Sequence, residues 1–316
     1  MKKVLVTGGC GYVGTRLVPL LIDRGLEVKV IDAQWFGNFL KPSDRLQIEK
    51  KSLRDMNSDD LTDVEVVIHL ANIANDPSVE LNPNLSWETN ILDAMHLLEL
   101  CRKSQIKDFL YASSGSVYGV KEEAKVTEDL ALVPISLYNK TKMVAERLVK
   151  SYESYFRCIS IRPATVCGFS PRMRFDVLIN MFVWQAFRYG EINVLGGNQI
   201  RPNIHIEDLC AVYLHFIQNP DLPSGQYNAG FENISVLEAA KIVSHLIPGQ
   251  IKLSESNDPR SYRLDSTKLL STGFVPVKNV KTAIQEIKEK LETNQLVDDE
   301  RWYTVRRMQA LQIGVS

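Results

Sequence analysis

The 316-residue chain reads as an α/β protein: a Rossmann-type, doubly wound parallel sheet with a smaller mixed α/β lobe after it. Three observations predict this. An apolar, β-branched run, Val4-Leu5-Val6, stops at glycines spaced Gly8, Gly11 and Gly14, and a helical pattern (Val13, Leu17, Val18, Leu20, Leu21) begins at Tyr12. A second apolar stretch, residues 27–31, ends at Asp32, eighteen residues after Gly14. Strand-like and helix-like stretches then alternate as far as Ile161, the rhythm of right-handed βαβ crossovers.

The first turn has a ligand-binding logic. Glycines accept positive φ and let backbone N–H groups approach a ligand, and the N-terminus of the following helix offers orphan donors to a pyrophosphate. Gly8, Gly11, Tyr12, Val13 and Gly14 are therefore candidate cofactor contacts, with Asp32 placed to hold adenosine ribose hydroxyls. No arginine follows Asp32 closely, so a 2′-phosphate would meet a carboxylate without a cation; NAD is expected rather than NADP.

Residues 33–45 are polar and aromatic (Trp35, Phe36, Phe39) with Pro42, which suits a loop. Leu46-Gln47-Ile48 is a third strand, leading to Ser52-Leu53-Arg54-Asp55. Residues 64–69 form a continuous apolar run of the kind doubly covered parallel strands show. Spacing of Leu85, Ile91, Leu92, Met95 and Leu98 predicts one helix over 84–104. Residues 109–112 are the next strand, ending in Ser113-Ser114-Gly115-Ser116, at the carboxyl end where open α/β sheets place their chemistry.

Near Cys167 the rhythm changes, and Gly, Pro and Arg concentrate in residues 168–174. The boundary is drawn there: an NAD-binding domain, 1–166, and a mainly substrate-binding lobe, 167–316. Helices are predicted over 177–189, 207–218, 236–246 and 280–291, with a glycine turn at Gly196-Gly197. The 297–316 tail, carrying Trp302 and Tyr303, is expected to pack on the body or on a partner subunit.

Composition narrows the partners. Net charge is −1 with Lys and Arg scattered, so no basic face points to nucleic acid or an anionic membrane. The five cysteines form no C-x-x-C pair and the five histidines show no ligand spacing, so reduced thiols, a cytoplasmic location and no metal are expected. No apolar run approaches the roughly 18 residues a membrane span needs.

Tyr138 and Lys142 stand four apart at the start of a helical segment, which puts both side chains on one face. A phenol with pKa near 10 is a poor base at neutral pH, but an adjacent ammonium favours the phenolate, and a bound nicotinamide cation adds to this. Such a pair alone is common on helix surfaces; beside a dinucleotide fingerprint and Ser114 at a strand end it reads as a general base and its partner.

These landmarks, with His69-Leu70-Ala71, Val117-Tyr118-Gly119, Arg162-Pro163 and the run 201–208, resemble the extended short-chain dehydrogenase/reductases of the nucleotide-sugar epimerase/dehydratase group, UDP-glucose 4-epimerase type, over nearly the whole chain. The resemblance implies a catalytic triad of Ser114, Tyr138 and Lys142, with Lys142 also holding the nicotinamide ribose. It implies further cofactor contacts at Leu53 and Leu70, a supporting asparagine at Asn90, and substrate contacts at Ser116, Thr165, Arg174, Asn180, Arg201 and Arg260. The last arginines suit a diphosphate because the planar guanidinium donates two bonds and keeps its charge. The implied ligands are NAD and a nucleotide-diphosphate sugar, and the implied assembly is a homodimer.

Departures from the pattern shape the expected activity. Dehydratases of the group place Asp and Glu after the catalytic hydroxyl, and here those positions are Gly115 and Ser116. Ser52 stands at the adenine-side aspartate, Cys167 at a common tyrosine, and Asn72 at the second alanine of His-Leu-Ala-Ala. The expected activity is epimerisation through a 4-keto sugar. The alternatives are a 4-dehydrogenase or 4-ketoreductase, for which residues 170–176 resemble a GDP-heptose branch, and a non-catalytic NAD-binding regulator.

Overall fold

The structure, a computed structural model, describes residues 2–256, 258 and 261–313. The strands are β1 (Lys3–Thr7), β2 (Glu27–Asp32), β3 (Leu46–Lys50), β4 (Val64–His69), β5 (Asp108–Ala112), β6 (Arg157–Pro163), β7 (Thr165–Cys167), β8 (Glu191–Leu195), β9 (Ile200–His205), β10 (Gly225–Ala229), β11 (Glu232–Ser235) and β12 (Gln250–Ser254). The helices are α1 (Gly14–Asp23), α2 (Asp76–Leu81), α3 (Pro83–Trp87), α4 (Asp93–Lys103), α5 (Leu137–Lys150), α6 (Leu178–Tyr189), α7 (Ile206–Gln218), α8 (Val236–Leu246), α9 (Thr267–Leu270), α10 (Val280–Glu292) and α11 (Thr304–Ala310).

Seven strands form the main sheet in the order β10-β6-β5-β4-β1-β2-β3, every neighbouring pair parallel. Both faces are covered, which is why its strands read as unbroken apolar runs. Val4, Val6, Val66 and Ile68 enter one core cluster, while Leu5, Ile31 and Val67 enter the other. Chain order reverses between β1 and β4, and the crevice outside the carboxyl ends opens at that switch point. The smaller sheets are β11-β9-β7, with β9 antiparallel to β11 and parallel to β7, and the parallel pair β12-β8.

Two features differ from the sequence reading. The outer strand β10 comes from beyond residue 166, so the second half of the chain completes the main sheet. The helix predicted over 84–104 runs on without a break as α3, a π turn at Glu88–Leu92 and α4, with helical backbone at both junctions, and what the sequence did not show is the π turn and the separate α2 before it. The separation of α2 from α3 has a local cause: Asn75 and Asn82 each cap a new helix, accepting from Ser78 N and Leu85 N at 2.9 Å, and each is followed within two residues by proline.

Candidate active site

A cavity of about 480 Å³ lies along the carboxyl ends of β1, β4 and β5. Its floor is the glycine turn: Gly8, Gly11, Tyr12, Val13 and Gly14 all line it. Two of the glycines answer to backbone crowding. Gly8 sits at φ 74°, where a Cβ would lie 2.5 Å from Ala71 N, and a Cβ on Gly14 would lie 2.4 Å from Gly9 O. Leu70 also lines the cavity. Asp32 and Leu53 do not; Asp32 accepts from Cys10 N at 2.9 Å and Gln34 N at 2.6 Å at the end of β2, and Leu53 is buried in the core beneath.

The catalytic candidates come together at the middle of the cavity, where Ser114, Ser116, Tyr138 and Lys142 are all lining residues. Ser136 starts α5 by accepting from Asn139 N at 3.2 Å, and its own hydroxyl donates to Asp76 Oδ1 at 2.5 Å, so the start of α2 braces the start of α5. Lys142, one turn on and 3% exposed, donates to Ala112 O at 2.6 Å and lies 5.9 Å from the centre of the Tyr138 ring. Ser114 Oγ is 2.8 Å from Ser116 Oγ, which donates to Asn139 Oδ1 at 2.7 Å.

Electrostatics here corrects one expectation. Burial raises the Tyr138 phenol to about 12, opposed by a hydrogen bond from Ser114 and the charge of Arg174. Burial also lowers the Lys142 ammonium to about 7. Desolvation therefore outweighs the help Lys142 was expected to give, since an amine that burial has brought down to about 7 is only partly charged at neutral pH.

Asn90 lies outside the cavity wall and works behind it. Its Oδ1 accepts from Ile73 N at 2.8 Å, and its Nδ2 donates to Ile73 O and Thr141 Oγ1, both at 3.1 Å. It thus fixes the loop of residues 72–76, all of which line the cavity, to the helix that carries Tyr138.

From the second half, Thr165, Arg174 and Arg201 reach the cavity. Arg174 Nε donates to Asp176 Oδ1 at 2.8 Å while its Nη2 is buried without a partner, and Arg201 Nη2 donates to Asp258 Oδ2 at 2.8 Å. Asn180 does not reach it. Wholly buried, it accepts from Gly168 N at 3.0 Å and donates to Tyr12 Oη and Arg174 O, each at 3.0 Å, so its amide is spent holding the 168–174 loop to the glycine turn. Arg260 lies outside the described residues.

Sequence reasoning missed several lining residues: Trp35, Phe36, Asp76, Arg172, Thr304 and Met308. Asn75-Asp76-Pro77 carries a legible signal, a capping residue and an early proline that mark a helix start after β4. The others are joined only by tertiary contact. The tail packs on the body: Trp302 is buried 5.2 Å from the Phe39 ring, and Arg307 Nε donates to Trp35 O at 3.0 Å.

An open helix N-terminus, a carboxylate closing β2 and a buried lysine beside a tyrosine together fit NAD, whose pyrophosphate, ribose and nicotinamide those groups respectively suit. No described helix is long and apolar enough to cross a membrane.

The fold and this site define a nicotinamide-dependent enzyme of the Rossmann type. The chain belongs to the NAD dependent epimerase/dehydratase family, whose model matches residues 4–230. It is 25% identical over 294 residues to the UDP-glucose 4-epimerase of Lactobacillus helveticus, covering 84% of this chain and 89% of that one. It is 29% identical over 291 residues to the low-salt glycan biosynthesis protein Agl12 of Haloferax volcanii, covering 86% and 93%. Among solved structures, MoeE5 in complex with UDP-glucuronic acid and NAD superposes with a TM-score of 0.84 at 25% identity, over 92% of this chain and 99% of that one.

Proposed function

We propose that the protein is an NAD-dependent epimerase acting at C4 of a nucleotide-diphosphate hexose through a 4-keto sugar. One observation carries this reading: Ser114, Tyr138 and Lys142 meet beside the glycine turn, while Gly115 and Ser116 stand where a dehydratase needs acid and base. The nearby carboxylate Asp76 is engaged with Ser136 at the cap of α5. When bound, NAD supplies the hydride acceptor and a positive charge that pulls the Tyr138 phenol down. Tyr138 takes the proton of the C4 hydroxyl and later returns it. Ser114 donates a hydrogen bond to the reacting oxygen, and Lys142 fixes the geometry through Ala112 O. Arg201 donates to the diphosphate, leaving the sugar free to turn and present its other face.

A second reading, a 4-dehydrogenase or 4-ketoreductase, is favoured by Arg172 and Arg174 in the 170–176 stretch and uses the same triad. A panel of UDP-, GDP-, CDP- and dTDP-sugars separates the two. Epimerisation without an added oxidant supports the first; a growing reduced-nicotinamide absorbance with no C4 epimer supports the second.

A further inference from the structure

Arg172 is 3% exposed, yet among the described residues it makes no ion pair. Among the described residues its Nε has no hydrogen-bond partner, and its side chain makes one bond, a long one, Nη2 to Thr304 Oγ1 at 3.4 Å. The guanidinium lies 4.0 Å over the Phe36 ring, which fixes its plane without neutralising it. Its backbone N–H points at Thr15 Oγ1, 3.4 Å away, so the segment runs beside the first turn of α1. Arg172 lines the same cavity as Gly11, Tyr12 and Val13. The two neighbouring carboxylates are committed elsewhere: Asp32 to Cys10 N and Gln34 N, Asp176 to Arg174 Nε and Thr304 N.

A buried cation with no direct ion pair carries a desolvation penalty that the charges of Asp176 and Asp32 offset only in part, and an anion bound beside it offsets more. Burial already depresses this guanidinium to about 9, far below its usual value. The anion that belongs at the first turn of α1 in an NAD-dependent enzyme is the cofactor's diphosphate.

We infer that Arg172 is a ligand of the cofactor diphosphate, delivered across the cavity from the second half of the chain, and that the α1 N-terminus and Arg172 grip it from two sides. The planar fork suits two phosphate oxygens, and the stack on Phe36 holds it pre-oriented. Because Arg172 and Arg174 share one segment, cofactor binding also settles the stretch that carries a sugar-side cation. The inference rests on the NAD dependence of the family and not on the choice between epimerase and dehydrogenase.

The test uses full-length protein freed of nucleotide by charcoal treatment, with calorimetric titration of NAD, adenosine at millimolar concentration, and UDP. Arg172→Met should weaken NAD ten- to a hundredfold and change adenosine and UDP by less than twofold; Arg172→Lys, which keeps the charge without the fork, should fall between. Ligand-free Arg172→Met should melt at or above wild type, because it removes a buried charge that no direct ion pair compensates. Unchanged NAD affinity would overturn the inference, and so would weakened UDP binding with NAD intact, which reassigns Arg172 to the sugar nucleotide. A ligand-free Arg172→Met that melts several degrees lower, or fails to fold, would make the side chain structural and overturn it as well.

Discussion

Tyr138 and Lys142 are pulled by burial in opposite directions, and each has a measurable signature. Tyr138→Phe keeps the ring and removes the hydroxyl, so turnover should fall roughly 10²- to 10⁴-fold while calorimetry finds NAD affinity unchanged. Turnover within threefold of wild type would place the base elsewhere. Lys142 is held near 7 in the folded protein against 10.5 ordinarily. Between those values the unfolded chain carries a proton that the folded chain lacks, so stability rises with pH across that window, and the burial penalty is complete below it. Urea melts from pH 7 to 10 should show wild type gaining stability relative to Lys142→Met; a pH-independent difference would contradict the assignment. At this scale the sequence was most legible where chemistry is local. Ser114, Tyr138 and Lys142 sit at spacings that a strand end and one helical turn convert directly into proximity. The direction of the pKa shifts was not legible, because desolvation depends on what covers a residue, and no spacing reports that.

Among the elements, the π turn at Glu88–Leu92 does the least obvious work. It turns Asn90 inward, where its amide clamps both backbone groups of Ile73. Asn90→Ala should cost about 2 kcal/mol or more by leaving those groups unsatisfied, and should lower kcat more than NAD affinity as residues 72–76 loosen. Denaturant melts and kinetics check this, and a variant with wild-type stability and kcat would show that the loop holds itself. The run that predicted a single helix over 84–104 kept helical apolar spacing through the turn, so periodicity alone did not reveal the extra residue. The βαβ units around β1, β2, β4 and β5 were readable because both sheet faces are buried. The second-half strands were not: β12 is largely exposed and polar, and β10 reads as Gly-Gln-Tyr-Asn-Ala, without the β-branched residues that mark a buried strand.

For the whole molecule, the halves are interleaved. The main sheet takes its outer strand from residues 225–229, the loop after Asp32 is held by the C-terminal tail, and Arg172 and Arg201 enter the cavity from the second half. Contacts of that sequence separation leave no local pattern, which is why Trp35, Phe36, Thr304 and Met308 went unread while the glycine turn did not. An epimerase must retain its cofactor and its ketone so that the same hydride can return to the other face. The decisive measurement uses a nucleotide sugar that the protein binds, labelled with deuterium at C4, and follows the label by NMR. A C4 epimer that keeps its deuterium is expected, formed in ordinary water without added oxidant and without accumulating reduced nicotinamide. Loss of the label from C4, or stable reduced nicotinamide with no epimer, would contradict the proposed epimerisation.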